Sequence, residues 1–132
     1  MSTPSPSDTR LQAVLAPFAL RAAIVFGSVA RGDAGPESDL DIAVLGHGPL
    51  SANDKMAIID ALALALGRPV DLIDLQQVGE PLLGRILAEG RQLVGTSAQW
   101  AGLLSRHLGN QADFVPLQER ILRTRRAAWT AQ

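Results

Sequence analysis

The sequence predicts a single α+β (mixed α/β) domain, and two observations carry that expectation. Short apolar runs of strand length recur at residues 22–26, 39–45 and 70–75, each cut off by glycine, proline or a polar turn. Between and around them lie segments with helix start and stop signals, above all residues 52–66, opened by Ser51 or Asn53 and ended by Gly67. Strand, strand, helix, strand with flanking helices indicates this class. At 132 residues the chain is long enough for one real core and too short for two domains of usual size.

The elements follow in order. Residues 2–7, rich in Ser and Pro, are expected to be disordered, and Asp8 is placed to cap a first helix reaching about Pro17. Ala22–Phe26 reads as a buried strand that stops at Gly27-Ser28, after which Val29-Ala30-Arg31-Gly32 reads as one helical turn closed by glycine. Residues 33–38, with Gly35 and Pro36, form a loop, and DLDIAVL is the next strand. The helix at 52–66 has only Asp60 as a polar residue after Lys55, which predicts a largely buried helix packed under the sheet. Arg68-Pro69 turns the chain into the VDLIDL strand, Glu80–Ala88 is a short helix ended by Gly90, and Arg91–Val94 is the final strand. From Ser97 the chain reads as mostly helical, with a break near Gly109-Asn110 and a last helix over about 116–129. The expected organisation is a core over 1–95 and a helical tail over 96–132 of the same domain.

Chemistry is concentrated in GSVARGDAGPESDLDIAVL, residues 27–45. Asp39 and Asp41 are one residue apart in a strand, so both carboxylates leave the same face. Two like charges on a half-buried strand repel each other, and a divalent cation relieves that cost. Magnesium suits the position, because it takes oxygen ligands and is usually held by one or two carboxylates together with substrate phosphates. Upstream, a strand running into Gly27-Ser28 at the start of a helix leaves backbone N–H groups unpaired, and glycine lets a phosphate approach them closely. Arg31 adds a fork of donors suited to phosphate oxygens.

Composition narrows the alternatives. There is no cysteine, hence no disulfide framework and no thiolate metal site, which fits a reducing cytosol. A formal net charge of −1 argues against a broadly basic nucleic-acid binder. No apolar run approaches a membrane span, and MSTPSPSDTR lacks the regions of a signal peptide, so a cytoplasmic protein with no membrane association is expected. Basic charge gathers in the tail, where Arg106, Arg120, Arg123, Arg125 and Arg126 face only Asp113 and Glu119. Leu117, Ile121, Ala128 and Trp129 share one side of the last predicted helix with Arg125 inside the stripe, a mixture that suits a protein interface. His47 reads as a loop residue, His107 as a tail-helix residue away from any acid at metal-ligand spacing, and Trp100 and Trp129 as packing residues.

Gly27-Ser28, ten residues, then Asp39-x-Asp41, with Arg31-Gly32 and Ser38 between, resembles the signature of the minimal nucleotidyltransferases of the DNA polymerase β-like superfamily. The likeness continues through VDLIDL and PLLGRILAEGRQLVG and covers roughly residues 20 to 95. It implies a palm fold, one mixed sheet with helices on one face. It further implies two Mg2+ ions held by Asp39, Asp41 and a third carboxylate, with ATP as substrate and Gly27, Ser28, Arg31, Gly32 and Ser38 around its phosphates. The family pattern places the third acid directly after the first apolar residue of VDLIDL, which is Asp71. Periodicity leaves Asp74 open as the competitor, since acids three apart face opposite sides of a strand and only one can join the site.

Among short stand-alone members the chain looks most like the MntA-type antitoxins. That resemblance implies a HEPN-type RNase toxin as partner, disarmed by transfer of AMP to a tyrosine, with no direct contact to nucleic acid. Two other readings stay open at this point. One is a binding-only antitoxin or scaffold on the same fold; the other is transfer to a small-molecule hydroxyl such as that of an aminoglycoside.

Overall fold

A computed structural model describes residues 6–32, 35 and 38–111 of the chain. Its elements are α1 (Pro6–Leu15) with a short 3-10 turn at Ala16–Phe18, β1 (Ala22–Phe26), α2 (Gly27–Arg31), β2 (Leu40–Leu45), α3 (Ala52–Leu66), β3 (Val70–Asp74), α4 (Leu82–Glu89) and β4 (Arg91–Val94). A further helix, α5, occupies residues 97–111. The expected last helix over 116–129, with its Leu117, Ile121, Arg125, Ala128 and Trp129 stripe, lies outside the described residues, as does the Ser- and Pro-rich N-terminal segment up to residue 5.

The strands form one mixed sheet in the order β3-β2-β1-β4. β1 is antiparallel to both β2 and β4, whereas β2 and β3 run parallel. A parallel pair needs a crossover rather than a hairpin, and α3 supplies it. Every residue of β1 is buried. Such a strand, apolar at each position, must be covered on both sides.

Two cores result. Leu11 and Leu15 of α1 and Ile58 and Leu62 of α3 pack on Ala23, Val25, Leu40, Ile42 and Val44. On the opposite face Leu83 and Ile86 of α4 and Leu103 of α5 pack with Ile24, Phe26, Ala43 and Leu45. The mixed α/β class with one sheet is as expected from the sequence. The helices, however, lie on both faces rather than on one, because β1 and β2 present apolar side chains to each side.

Four local expectations are also corrected. Asp8 lies inside α1 rather than at its cap. It is buried and takes a two-pronged bond from Arg91, Nε to Oδ2 at 2.9 Å and Nη2 to Oδ1 at 2.8 Å. The same guanidinium donates through Nη1 to Ala30 O at 3.2 Å, so Arg91 ties α1 and α2 to β4. The crossover helix α3 begins as read, with Ser51 Oγ accepting the Asp54 N–H at 3.1 Å, but it is not largely buried. Leu64 is 89% exposed and Met56 54%, because a helix lying on one sheet face buries a single stripe.

The break expected near Gly109-Asn110 does not occur; α5 runs through both. Its far end is anchored at Glu80, whose Oε1 lies 2.8 Å from His107 Nδ1 and 3.3 Å from the donating Asn110 Nδ2. His107 is therefore beside an acid after all, one that is 27 residues away in the chain. Its ring lies over Gly84, where a Cβ would come within 2.7 Å of Cε1. Arg106 adds donation from Nη1 to Leu75 O at 2.6 Å. Trp100 packs against the second core, as a packing residue should. Among the described residues no helix is long and apolar enough to cross a membrane.

Candidate active site

β1 passes into α2 without a linker. Phe26 is extended, with φ −137° and ψ −175°, and Gly27, at φ +71°, opens the helix. The position requires glycine for two reasons. Its backbone is in the left-handed region, and a Cβ there would run into Asp41 Oδ2. The first-turn N–H groups of α2 have no intrahelical acceptors, which is the geometry that receives a phosphate. Gly32 ends α2, with its N–H directed to Ser28 O and Val29 O.

Asp41 stands in register opposite Phe26 on one side and Asp71 on the other. Residues paired across parallel strands share a face about 4.8 Å apart, so Asp41 and Asp71 project from the same side of the sheet. It is the side covered further along by α4 and α5. Asp39 precedes the first residue of β2 by one and is exposed; Asp71 is exposed and Asp41 half-buried.

Asp74 is in register with Val44, on the other face. It is 6% exposed, and its two oxygens accept the Leu50 N–H at 3.0 Å and the Gln76 N–H at 2.9 Å. Its carboxylate closes the turns after β2 and β3.

Electrostatics marks Asp41 as the stressed member. Burial pushes its carboxyl above the ordinary value, and repulsion from Asp71 and then Asp39 adds to that; Arg31 and Arg85 pull the other way without cancelling it. Ser28 is half-buried on α2, and Arg31 is exposed with Nη1 3.6 Å from Glu89 Oε2 on α4. Ser38 is occupied locally: its Oγ accepts the Gly35 N–H at 2.9 Å, and its own N–H donates to Gly35 O at 3.1 Å. Arg68 Nη1 reaches the carbonyls of Gly35 and Ser38, each at 3.4 Å, and braces the chain just before Asp39.

Two participants escaped the sequence reading. Arg85 and Glu89 sit one turn apart on α4, beside the apolar stripe of Leu82, Leu83, Ile86 and Leu87. That four-residue spacing within PLLGRILAEG was visible, but nothing local tied it to the acids.

The donors available for a metal are all carboxylate oxygens, and the like-charge load on Asp41 is what a hard cation would relieve. Among the described residues no three acidic or histidine groups converge on one point. Magnesium does not require that, since it is commonly held by one or two carboxylates with substrate phosphates and water completing its shell. The residues fit the ion.

A family model described as polymerase beta, nucleotidyltransferase matches residues 10–99. The chain belongs to this family. The curated protein adenylyltransferase MntA of Shewanella oneidensis is 38% identical over 72 residues, 54% of this chain and 52% of the relative. The chain therefore spans about half the length of that relative in the aligned stretch. A chain in a crystal structure of a toxin-antitoxin with AMP-PNP superposes with a TM-score of 0.70 at 26% identity, over 87% of this chain and 98% of that one. A chain in the structure of tri-AMPylated Shewanella oneidensis HEPN toxin in complex with MNT antitoxin gives a TM-score of 0.65 over 88% and 96%. Its identity is 24%, a likeness of fold alone. The α2 turn and the acids of β2 and β3 all lie inside the span matched by the family model.

Proposed function

We propose that this chain is a magnesium-dependent adenylyltransferase that moves AMP from ATP to a hydroxyl of a partner HEPN-type toxin, a tyrosine, and so acts as its cytoplasmic antitoxin. The observation that carries the reading is the placement of Gly27-Ser28 directly against Asp41, with Asp71 paired beside it. Phosphate-binding N–H groups and an acid cluster thereby adjoin. The names of the similar proteins, a protein adenylyltransferase and a toxin-antitoxin with AMP-PNP, support the transfer of AMP.

In this reading the α2 N–H groups and Ser28 bind the triphosphate, Arg31 offsets its charge, and Gly32 and Ser38 lie around its phosphates. Asp39, Asp41 and Asp71 would hold two magnesium ions. Bound there, the metal supplies charge neutralisation for the leaving pyrophosphate and acidifies the attacking hydroxyl. Asp71, exposed on its strand, accepts the hydroxyl proton as the acceptor oxygen bonds to the α-phosphorus. The bond from the α-phosphorus to the bridging oxygen breaks in the same displacement, and pyrophosphate departs.

The test is incubation with α-phosphate-labelled ATP and magnesium, with and without the protein encoded by the neighbouring gene, with the label located by mass spectrometry. Label on a partner tyrosine is the expected result. A folded protein that labels nothing, or only a small molecule, would sink the proposal. A binding-only antitoxin would neutralise the toxin equally well as Asp41→Asn.

A further inference from the structure

On the acid-bearing face α4 lies against both α2 and β1, and its Leu83 and Ile86 pack in one cluster with Phe26, the residue in register with Asp41. Its flank toward α2 is fixed by the approach of Arg31 to Glu89. Arg85 lies one turn before Glu89, on the same flank of α4.

Arg85 differs from its neighbours in having nothing to hold. Arg21 bonds Gln99, Arg68 the carbonyls of Gly35 and Ser38, Arg91 Asp8, and Arg106 the carbonyl of Leu75. Arg31 shares its charge with Glu89. The Arg85 guanidinium is exposed and makes no hydrogen bond or ion pair among the described residues. Its charge is nonetheless felt at Asp41, where it opposes the upward push of burial and of Asp71 and Asp39.

An uncommitted planar fork of donors beside a phosphate-binding turn suits a polyanion. Arg31 alone is a poor counter-charge for a triphosphate, since Glu89 already draws on it. We propose that Arg85 is a second phosphate-binding cation of the nucleotide site, contacting the triphosphate from α4 across from the α2 turn. This rests on the reading of the site as a nucleotide site.

The experiment is calorimetric titration of AMP-PNP with magnesium into the wild type, Arg85→Gln, Arg85→Lys and the surface control Arg10→Gln, beside a titration of AMP into each. Loss of a charge-assisted phosphate contact should weaken AMP-PNP binding by about tenfold to a hundredfold in Arg85→Gln. Partial recovery in Arg85→Lys, no change in Arg10→Gln, a smaller effect on AMP and an unchanged melting temperature of the free protein are expected with it. Wild-type binding together with equal binding by Arg85→Gln overturns this inference and leaves the nucleotide site standing. Failure of the wild type itself to bind overturns the nucleotide reading and the inference together. An Arg85→Gln protein that melts early shows a structural residue and overturns the inference alone.

Discussion

Two acids of one short strand, Asp71 and Asp74, should respond to substitution in opposite ways. Asp74 is 6% exposed and accepts the N–H groups of Leu50 and Gln76. Alanine at that position leaves both donors without an acceptor, and an unsatisfied buried donor costs about 1–3 kcal/mol. Both bonds are only partly buried, so water recovers a share, and the expected loss is about 2–4 kcal/mol. For a chain of this size each kcal/mol lowers the melting temperature by roughly 3–5 °C, giving a fall of roughly 10 °C. Asp71 is exposed and faces the charge of Asp41, so Asp71→Asn should leave the melting temperature unchanged or slightly raised. AMP transfer by Asp71→Asn should drop by about 10²-fold or more, as for loss of a general base. Thermal denaturation by circular dichroism in EDTA, and label transfer with magnesium and ATP, measure the two effects. An Asp74→Ala protein that melts with the wild type, or an Asp71→Asn protein that is unstable yet active, would show that the strand register has been read on the wrong face.

Gly27→Ala forces a side chain into a left-handed position, at about 1–2 kcal/mol, and pushes Asp41 aside, so it should melt early and lose nucleotide binding by calorimetry. Undiminished binding would contradict the close approach. Asp41→Asn, compared with wild type in EDTA, should gain stability as pH rises. The wild-type carboxyl is raised by burial and then by Asp71 and Asp39, so the folded state holds its proton longer and its stability falls as pH rises from the unfolded value through the higher folded one. Matched urea curves at neutral pH would argue against that repulsion. At Glu80 burial works upward, but the bonds from His107, Asn110 and Gly84 outweigh it and lower the carboxyl from 4.5. Its contribution is present above the unfolded value and lost as pH falls through the folded one. Glu80→Gln should therefore be less stable than wild type at neutral pH and converge with it as pH falls through the lowered folded-state value.

The parts of the fold legible in the sequence are those set by neighbours in the chain. Ala22–Phe26, the glycine at its end and the strand beginning at Leu40 announce themselves through local pattern. The opposed faces of Asp71 and Asp74 follow from the period of two alone. The second helical layer was legible in principle, since an AAIVF strand with no polar position demands cover on both sides. What could not be read depends on partners far along the chain. Asp8 looks like a cap because a cap and an ion-paired acid present the same local letters, and Arg91 is 83 residues on. The unbroken α5 across Gly109-Asn110 depends on Glu80 holding Asn110, and the position of Arg85 depends on how α4 lies over β1.

Arg91 has a consequence for how far the Gly-Ser turn can be treated as a motif. One guanidinium holds the first turn of α1 and the carbonyl of Ala30, so the orientation of α2 is set by residues from both ends of the domain. The turn is not a portable cassette. Residues 22–45 grafted onto another sheet would carry all the letters of the signature and still lack the clamp that aims α2, and a fragment beginning after Asp8 would lose it in its own fold.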